Sequence, residues 1–239
     1  MLIWKILLKI ISNFTATFTV MIKVLHLVDS MDLKQGGPPE VIRNLKKRIN
    51  KQNKIISVLP VNRIGVTQFL KIVILKKTRL KFYNFLNKFD IIHCHSIWSP
   101  RISIIAKYSI SLGIKVIFSS HGYLDDWSLK HSVIKKKIFS ILILNNLIKK
   151  SKIFFSNIGE FIDSNKKFVY GDTFVIPNGI DTSVYKSHKN KKNNKKKKII
   201  FFGRIHKKKG IEILLEAVNE LPKEFFENFY LEITGPGEK

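Results

Sequence analysis

Three short stretches hold residue types that handle phosphate or sugar. In the first, Gly203-Arg204-Ile205-His206-Lys207-Lys208-Lys209-Gly210 follows the apolar run Ile199-Ile200-Phe201-Phe202 and precedes Ile211, Leu214, Leu215 and Val218 at helical spacing. A loop so placed ends at a helix N-terminus, where unpaired backbone N–H groups and the helix dipole favour an anion. Gly203 allows the chain to turn tightly beside a ligand. Arg204 offers a planar fork for phosphate oxygens and Lys209 a point charge just before the helix, and two fixed cations suit a diphosphate. Solvated surface charge is the competing reading.

The second stretch is Ser120-His121-Gly122-Tyr123-Leu124-Asp125-Asp126-Trp127-Ser128-Leu129, delivered by a strand over Lys115 to Ser119. A histidine at the C-terminal end of a parallel strand stands where open α/β sheets bind ligands, and Gly122 lets the chain turn without crowding a substrate. Asp125 or Asp126 either meets a ligand or caps the following helix. The third is Gln35-Gly36-Gly37-Pro38-Pro39-Glu40, a glycine turn before a helix bearing Val41, Ile42, Leu45 and Ile49. It is not the dinucleotide fingerprint, which needs G-x-G-x-x-G directly after a strand.

Phe89-Asp90-Ile91-Ile92-His93-Cys94-His95 reads as a buried parallel strand ending in two histidines that flank a cysteine. The two imidazoles are expected to diverge across the strand, and no second Cys/His pair follows at zinc spacing, so no metal site is expected. Glu160, after the short strand Ile153 to Ser156, reads as a helix-start residue.

These positions need strands and helices in alternation, the mark of an α/β fold. Strands are expected at Met21 to Leu27, Lys54 to Leu59, Thr173 to Ile176 and Leu231 to Thr234 besides those above, and Pro177-Asn178-Gly179 is a turn that closes a first domain. Ile64 to Lys88 is apolar and lysine-rich without a motif. Ser132 to Lys150 is a lysine-studded helix carrying Ile134, Ile138, Ile141, Leu142 and Leu147, with lysines suited to anionic lipid. The division is a leader (1–20), a first domain (21–181), a lysine-rich linker (182–198) and a second, shorter domain (199–239). At about 100 to 200 residues per domain, the length holds one full domain and part of another, or two small ones.

In the leader, Ile3, Ile6, Leu7, Ile10 and Phe14 share one helical face and Lys5, Lys9 and Ser12 the other, as in a membrane-surface helix too interrupted to span a bilayer. Met21 as the true start is the competing reading. With 43 Lys and Arg against 17 Asp and Glu, the net charge of +26 points to anionic partners: nucleic acid, acidic lipid or phosphorylated substrates. An AT-rich coding sequence gives the same lysine, asparagine and isoleucine excess. Lys186 to Lys198 lacks aromatics to stack on bases, so no specific nucleic acid is expected. The single cysteine, Cys94, excludes an internal disulfide and fits a reducing, cytoplasmic compartment.

Ile176-Pro177-Asn178-Gly179-Ile180-Asp181, followed by a strand and then Gly203-Arg204 through Glu216-Ala217, resembles the retaining glycosyltransferases of family 4, and the resemblance runs from Ile22 to Glu238. It implies the GT-B architecture of two Rossmann-like domains, the N-terminal one for the acceptor and the C-terminal one for a nucleotide-sugar. Arg204 and Lys209 would then hold the donor diphosphate, while Gly36 and Gly37 would line the cleft near acceptor and donor phosphates. His121 would be the catalytic residue, contacting the transferred sugar or the acceptor, with His95, Asp125, Asp126 and Glu160 as acceptor contacts. His-Gly followed by an acidic residue, tryptophan and Ser-Leu resembles a subgroup that builds bacterial surface polysaccharides, so the acceptor would be a glycan or lipid-linked glycan and the enzyme a retaining hexosyltransferase on the inner face of the cell membrane. The nucleotide-sugar is a substrate, and neither cofactor nor metal is implied.

The resemblance also implies that a base-binding loop, an E-x7-E element and a closing helix belong beyond Lys239, so the second domain is expected to be truncated and activity to depend on the missing part. A noncatalytic membrane-associated remnant and a basic nucleic-acid-binding protein remain as readings of other classes.

Overall fold

The computed structural model describes residues 22–32, 37–49, 55–180, 182 and 196–237. The leader, Gly36 and residues 183–195 of the lysine-rich linker lie outside the described residues. The chain divides into two compact units, residues 1–181 and 182–239.

In the first unit, β1 (Lys23–Val28), α1 (Gly37–Ile49), β2 (Ile55–Pro60), α2 (Val66–Ile74), α3 (Lys76–Leu86), β3 (Ile91–Cys94), α4 (Pro100–Ser111) and β4 (Lys115–Ser119) follow in turn. After β4 come α5 (Asp126–Leu129) and α6 (Val133–Phe139), which widens through a π-helical turn at Ser140–Leu144 into α7 (Asn145–Lys149). The unit closes with β5 (Lys152–Phe155), α8 (Ile158–Asn165) and β6 (Thr173–Val175).

The six strands form one sheet in the order β2-β1-β3-β4-β5-β6, all neighbours parallel. Such sheets are covered on both faces, which is why β3 and β5 read as continuous apolar runs. Ile92, Phe118, Ile153 and Phe155 are fully buried, and Ile102, Ile105 and Ala106 of α4 pack in the same cluster at helical spacing. Strand order reverses at β1, with β2 on one side and β3 on the other, so the C-terminal ends of β1 and β3 form the switch point where such sheets take ligands. The motifless stretch from Ile64 to Lys88 folds as α2 and α3, with Phe69, Ile72 and Leu86 buried.

The second unit pairs β7 (Lys197–Phe202) with β8 (Phe229–Thr234) in parallel, joined through α9 (Ile211–Asn219) and α10 (Phe225–Asn228). None of its described residues is buried; Phe202 is 84% and Ile213 70% exposed. No helix among the described residues is long and apolar enough to cross a membrane.

Candidate functional site

At the C-terminal edge of the first unit's sheet stands a row of four imidazoles. Parallel register places His26 of β1 beside His93 of β3, and the rings lie 4.9 Å apart. The expectation that His93 and His95 diverge is overturned: their rings are 4.2 Å apart on one side of the strand. Residues two apart on a strand share a face. Cys94 alternates away from them and is fully buried, and burial pushes its thiol up. His121, just past β4, adds the fourth ring 5.2 Å from that of His95. Sequence reasoning did not single out His26, because its place beside His93 depends on which strands are neighbours.

Hydrogen bonds thread three of the rings. His26 Nδ1 and His95 Nε2 are 2.8 Å apart, and His95 Nδ1 and His121 Nε2 2.9 Å. His93 stands outside that thread, its Nε2 bonded to Ser119 Oγ at 2.7 Å. Burial lowers His26 and His121 from 6.5 to about 4. It lowers His93 and His95 well below 6.5, and repulsion among the rings adds to the effect. All four are neutral at pH 7.

Ligand nitrogens of His26, His93 and His95 lie within 4.8 Å of one another, so a metal must be weighed. A tetrahedral ion with bonds of about 2.0–2.1 Å holds its ligand nitrogens about 3.3 Å apart with both lone pairs turned inward. His26 Nδ1 and His95 Nε2, at 2.8 Å, instead share a proton, and the second nitrogen of His95 is taken by His121. As the rings stand, His26, His95 and His121 form a hydrogen-bonded thread.

His121 sits at φ 49°, in the left-handed region, followed by Gly122 at φ 79°. Among L-residues this region is uncommon and strained, though histidine enters it more readily than most. Glu160 holds the turn: its carboxylate accepts the backbone N–H of Gly122 at 3.1 Å and of Leu124 at 3.0 Å. The side chain is 1% exposed and lies beneath the loop, and its own N–H is capped by Asn157 Oδ1 at 2.8 Å. Asp125 caps α5 by accepting the N–H of Ser128 at 2.7 Å, and Ser128 Oγ donates to Gly122 O at 2.8 Å. Asp126 faces solvent between Lys130 and Lys167, whose ammonium groups hold its carboxyl down to about 2. Gly37 is the exposed first residue of α1.

In the second unit, Gly203 N donates to Thr234 O at 3.0 Å and Ile205 N to Pro236 O at 2.9 Å, so the loop after β7 is laced to the turn after β8. His206 Nδ1 accepts the N–H of Lys208 at 3.1 Å and starts a short 3-10 turn over Lys207–Lys209, and Gly210, at φ 65°, opens α9. Arg204 and Lys209 are both exposed, one at each end of this loop, and neither forms an ion pair among the described residues. The space where a Gly203 side chain would stand is open, with nothing within 4 Å.

Residues 35–184 match the family described as Glycosyltransferase Family 4, and residues 185–239 match the family described as Glycosyl transferases group 1. A search of curated proteins finds no match.

Proposed function

Because the chain belongs to glycosyltransferase family 4, we propose that it transfers a hexosyl group, with retention, from a nucleotide-sugar to a glycan or lipid-linked acceptor in bacterial surface polysaccharide synthesis. Sugar transfer is the activity of glycosyltransferase domains; those of this group with the GT-B fold typically need no metal, and the nucleotide-sugar is their substrate. The loop after β7 carries the reading. Exposed Arg204 and Lys209 bracket a loop that ends at the N-terminus of α9, with open space above Gly203. In transfer, the bond from the anomeric carbon to the diphosphate oxygen breaks as the acceptor oxygen bonds to that carbon, and the acceptor hydroxyl's proton passes to the departing diphosphate. Arg204 and Lys209, already charged and in place, stabilise the departing diphosphate without reorganisation.

On the first unit, His121 is the residue proposed to contact the transferred sugar or the acceptor. Being neutral, it acts there as a hydrogen-bonding group. Gly36 and Gly37 are proposed for the phosphate-side loop, and His95 and the Asp125–Asp126 turn for the acceptor side. Glu160, under the turn, serves the acceptor by shaping the loop.

We also place the protein at the cytoplasmic membrane surface. Ile134, Ile138, Ile141 and Leu142 on α6 and the turn after it are 54% to 76% exposed, beside Lys135, Lys137, Lys149 and Lys150. Exposed apolar side chains among lysines suit an anionic lipid surface.

Titration calorimetry of the chain with uridine, guanosine and adenosine diphosphates tests the donor assignment. Arg204→Ala is expected to weaken binding at least tenfold, because a charge-assisted hydrogen bond contributes about 1.5–3 kcal/mol. Unchanged binding in Arg204→Ala and Lys209→Ala would sink the assignment, while loss of transfer with binding intact is the signature expected of His121→Ala.

A further inference from the structure

The thread His26–His95–His121 has a consequence that follows from proton counting. A neutral imidazole carries one N–H and one lone pair, and which nitrogen holds the proton is set by its partners. His95 uses both nitrogens, Nε2 toward His26 and Nδ1 toward His121. It must therefore donate one bond and accept the other, so both bonds run in the same direction. In one direction His26 Nδ1 donates to His95 Nε2 and His95 Nδ1 donates to His121 Nε2, which leaves the proton of His121 on Nδ1. In the other, His121 Nε2 donates, His95 Nε2 donates to His26 Nδ1, and His121 Nδ1 is a bare acceptor. Nδ1 is the ring nitrogen of His121 that has no partner among the described residues.

We propose that His26 and His95 are positioning residues for His121: the one-way hydrogen-bond thread locks His121 in a single neutral tautomer and so decides whether its Nδ1 meets a ligand as donor or as acceptor. The contact between His121 and a sugar or acceptor hydroxyl rests on the proposed function; the lock itself does not. Two features support it besides the distances. The backbone of His121 is held in an uncommon conformation by Glu160 under the turn, which fixes the point from which the ring reaches His95. Burial also keeps the rings neutral through the physiological range, which excludes a doubly protonated His95 donating both ways. Reversing the lock requires both shared protons to shift along the thread together, so a site far inside β1 reports on the turn after β4.

The test is long-range proton–nitrogen NMR of the full chain labelled with ¹⁵N-histidine at neutral pH, without substrate. His26 Nδ1 and His121 Nε2 are expected in opposite states, one protonated and one bare, each ring showing the pattern of one tautomer. His26→Phe removes the far end of the thread and is expected to abolish the single-tautomer pattern of His121. His93→Phe alters a ring 4.2 Å from His95 but outside the thread, and is expected to leave it unchanged. Like states at His26 Nδ1 and His121 Nε2, or averaged tautomers in the wild-type chain, would overturn the proposal even if no variant folds. So would a His93→Phe effect on His121 equal to that of His26→Phe, since packing alone would then account for both. Because no donor or acceptor is present, failure here is distinct from failure of the glycosyltransferase reading.

Discussion

The Glu160 carboxylate accepts the backbone N–H of Leu124 at 3.0 Å with one oxygen and that of Gly122 at 3.1 Å with the other, joining the first turn of α8 to the loop that carries His121. Removing it takes the carboxylate from the buried Leu124 N–H and from the half-buried Gly122 N–H. Glu160→Ala is expected to cost about 3 kcal/mol, since each orphaned buried donor costs about 1–3 kcal/mol. Glu160→Gln keeps one acceptor oxygen and should fall between the two. Urea unfolding with an unchanged m-value checks this, and a midpoint for Glu160→Ala equal to wild type would mean that the loop does not depend on the carboxylate. Asp126→Asn, at a solvent-facing carboxylate, is expected to leave the midpoint in place.

Acid should weaken the first unit by charging its buried imidazoles. His26 and His121 are lowered to about 4 from 6.5. Between those values the unfolded chain binds protons that the folded chain refuses, so stability is complete above about pH 6.5 and falls as pH falls, the share of these two rings being lost by about pH 4. Each unit of lowering is worth about 1.4 kcal/mol, which makes each ring's share a few kcal/mol. The groups facing these rings are one another, the Ser119 hydroxyl and the Glu160 carboxylate behind the turn. Asp126, held to about 2, does not titrate in that window. Urea midpoints at pH 7, 6 and 5 should decline in order; a flat series would show that the imidazoles are not held neutral by burial.

What the sequence made legible was local. Lys115–Ser119 forms a strand as expected because a β-branched and aromatic run bounded by Gly113 and Gly122 has no competing period. The loop from Gly203 to Gly210 lies between strand and helix because both flanks carry their own pattern. Ile64 to Lys88 stayed opaque, since α3 is lysine-rich and neither α2 nor α3 has a side-chain cap. The histidine row was misread: the period of a strand puts His93 and His95 on one face, against the expectation that they diverge, and His26 joins them only through the β1–β3 register. Glu160 showed as a helix-start residue, whereas its hold on Gly122 and Leu124, 38 and 36 residues away, is a tertiary fact.

Gly203 and Gly235, where the loop after β7 meets the turn after β8, should respond in opposite ways. A Cβ on Gly235, at φ 155°, would stand 1.7 Å from Gly203 O, a backbone atom that cannot move aside, while a Cβ on Gly203 meets nothing within 4 Å. Gly235→Ala is therefore expected to part the loop from β8, seen as faster hydrogen exchange at Gly203 and Ile205, whose N–H groups bond to Thr234 and Pro236. Gly203→Ala should keep that protection and instead weaken nucleoside diphosphate binding, because it fills the space above the loop. Equal exchange in both variants would place the steric limit elsewhere.

The membrane assignment turns on whether the exposed apolar residues of α6 and the π-helical turn after it work with the lysines or merely beside them. Ile141 and Leu142 are 65% and 74% exposed, and burying such a side chain is worth about 1.5–3 kcal/mol. Each lysine near an anionic surface adds about 1 kcal/mol, an attraction that salt screens. The two contributions separate by experiment. Ile141→Glu with Leu142→Glu should lower partition onto vesicles of mixed phosphatidylglycerol and phosphatidylcholine at least tenfold at any salt. Lys135→Gln with Lys137→Gln should lower it at low salt and little at high salt. If the lysine variant alone loses binding and the apolar one does not, the association is nonspecific charge attraction by a strongly basic chain, and this helical face does not rest on the membrane.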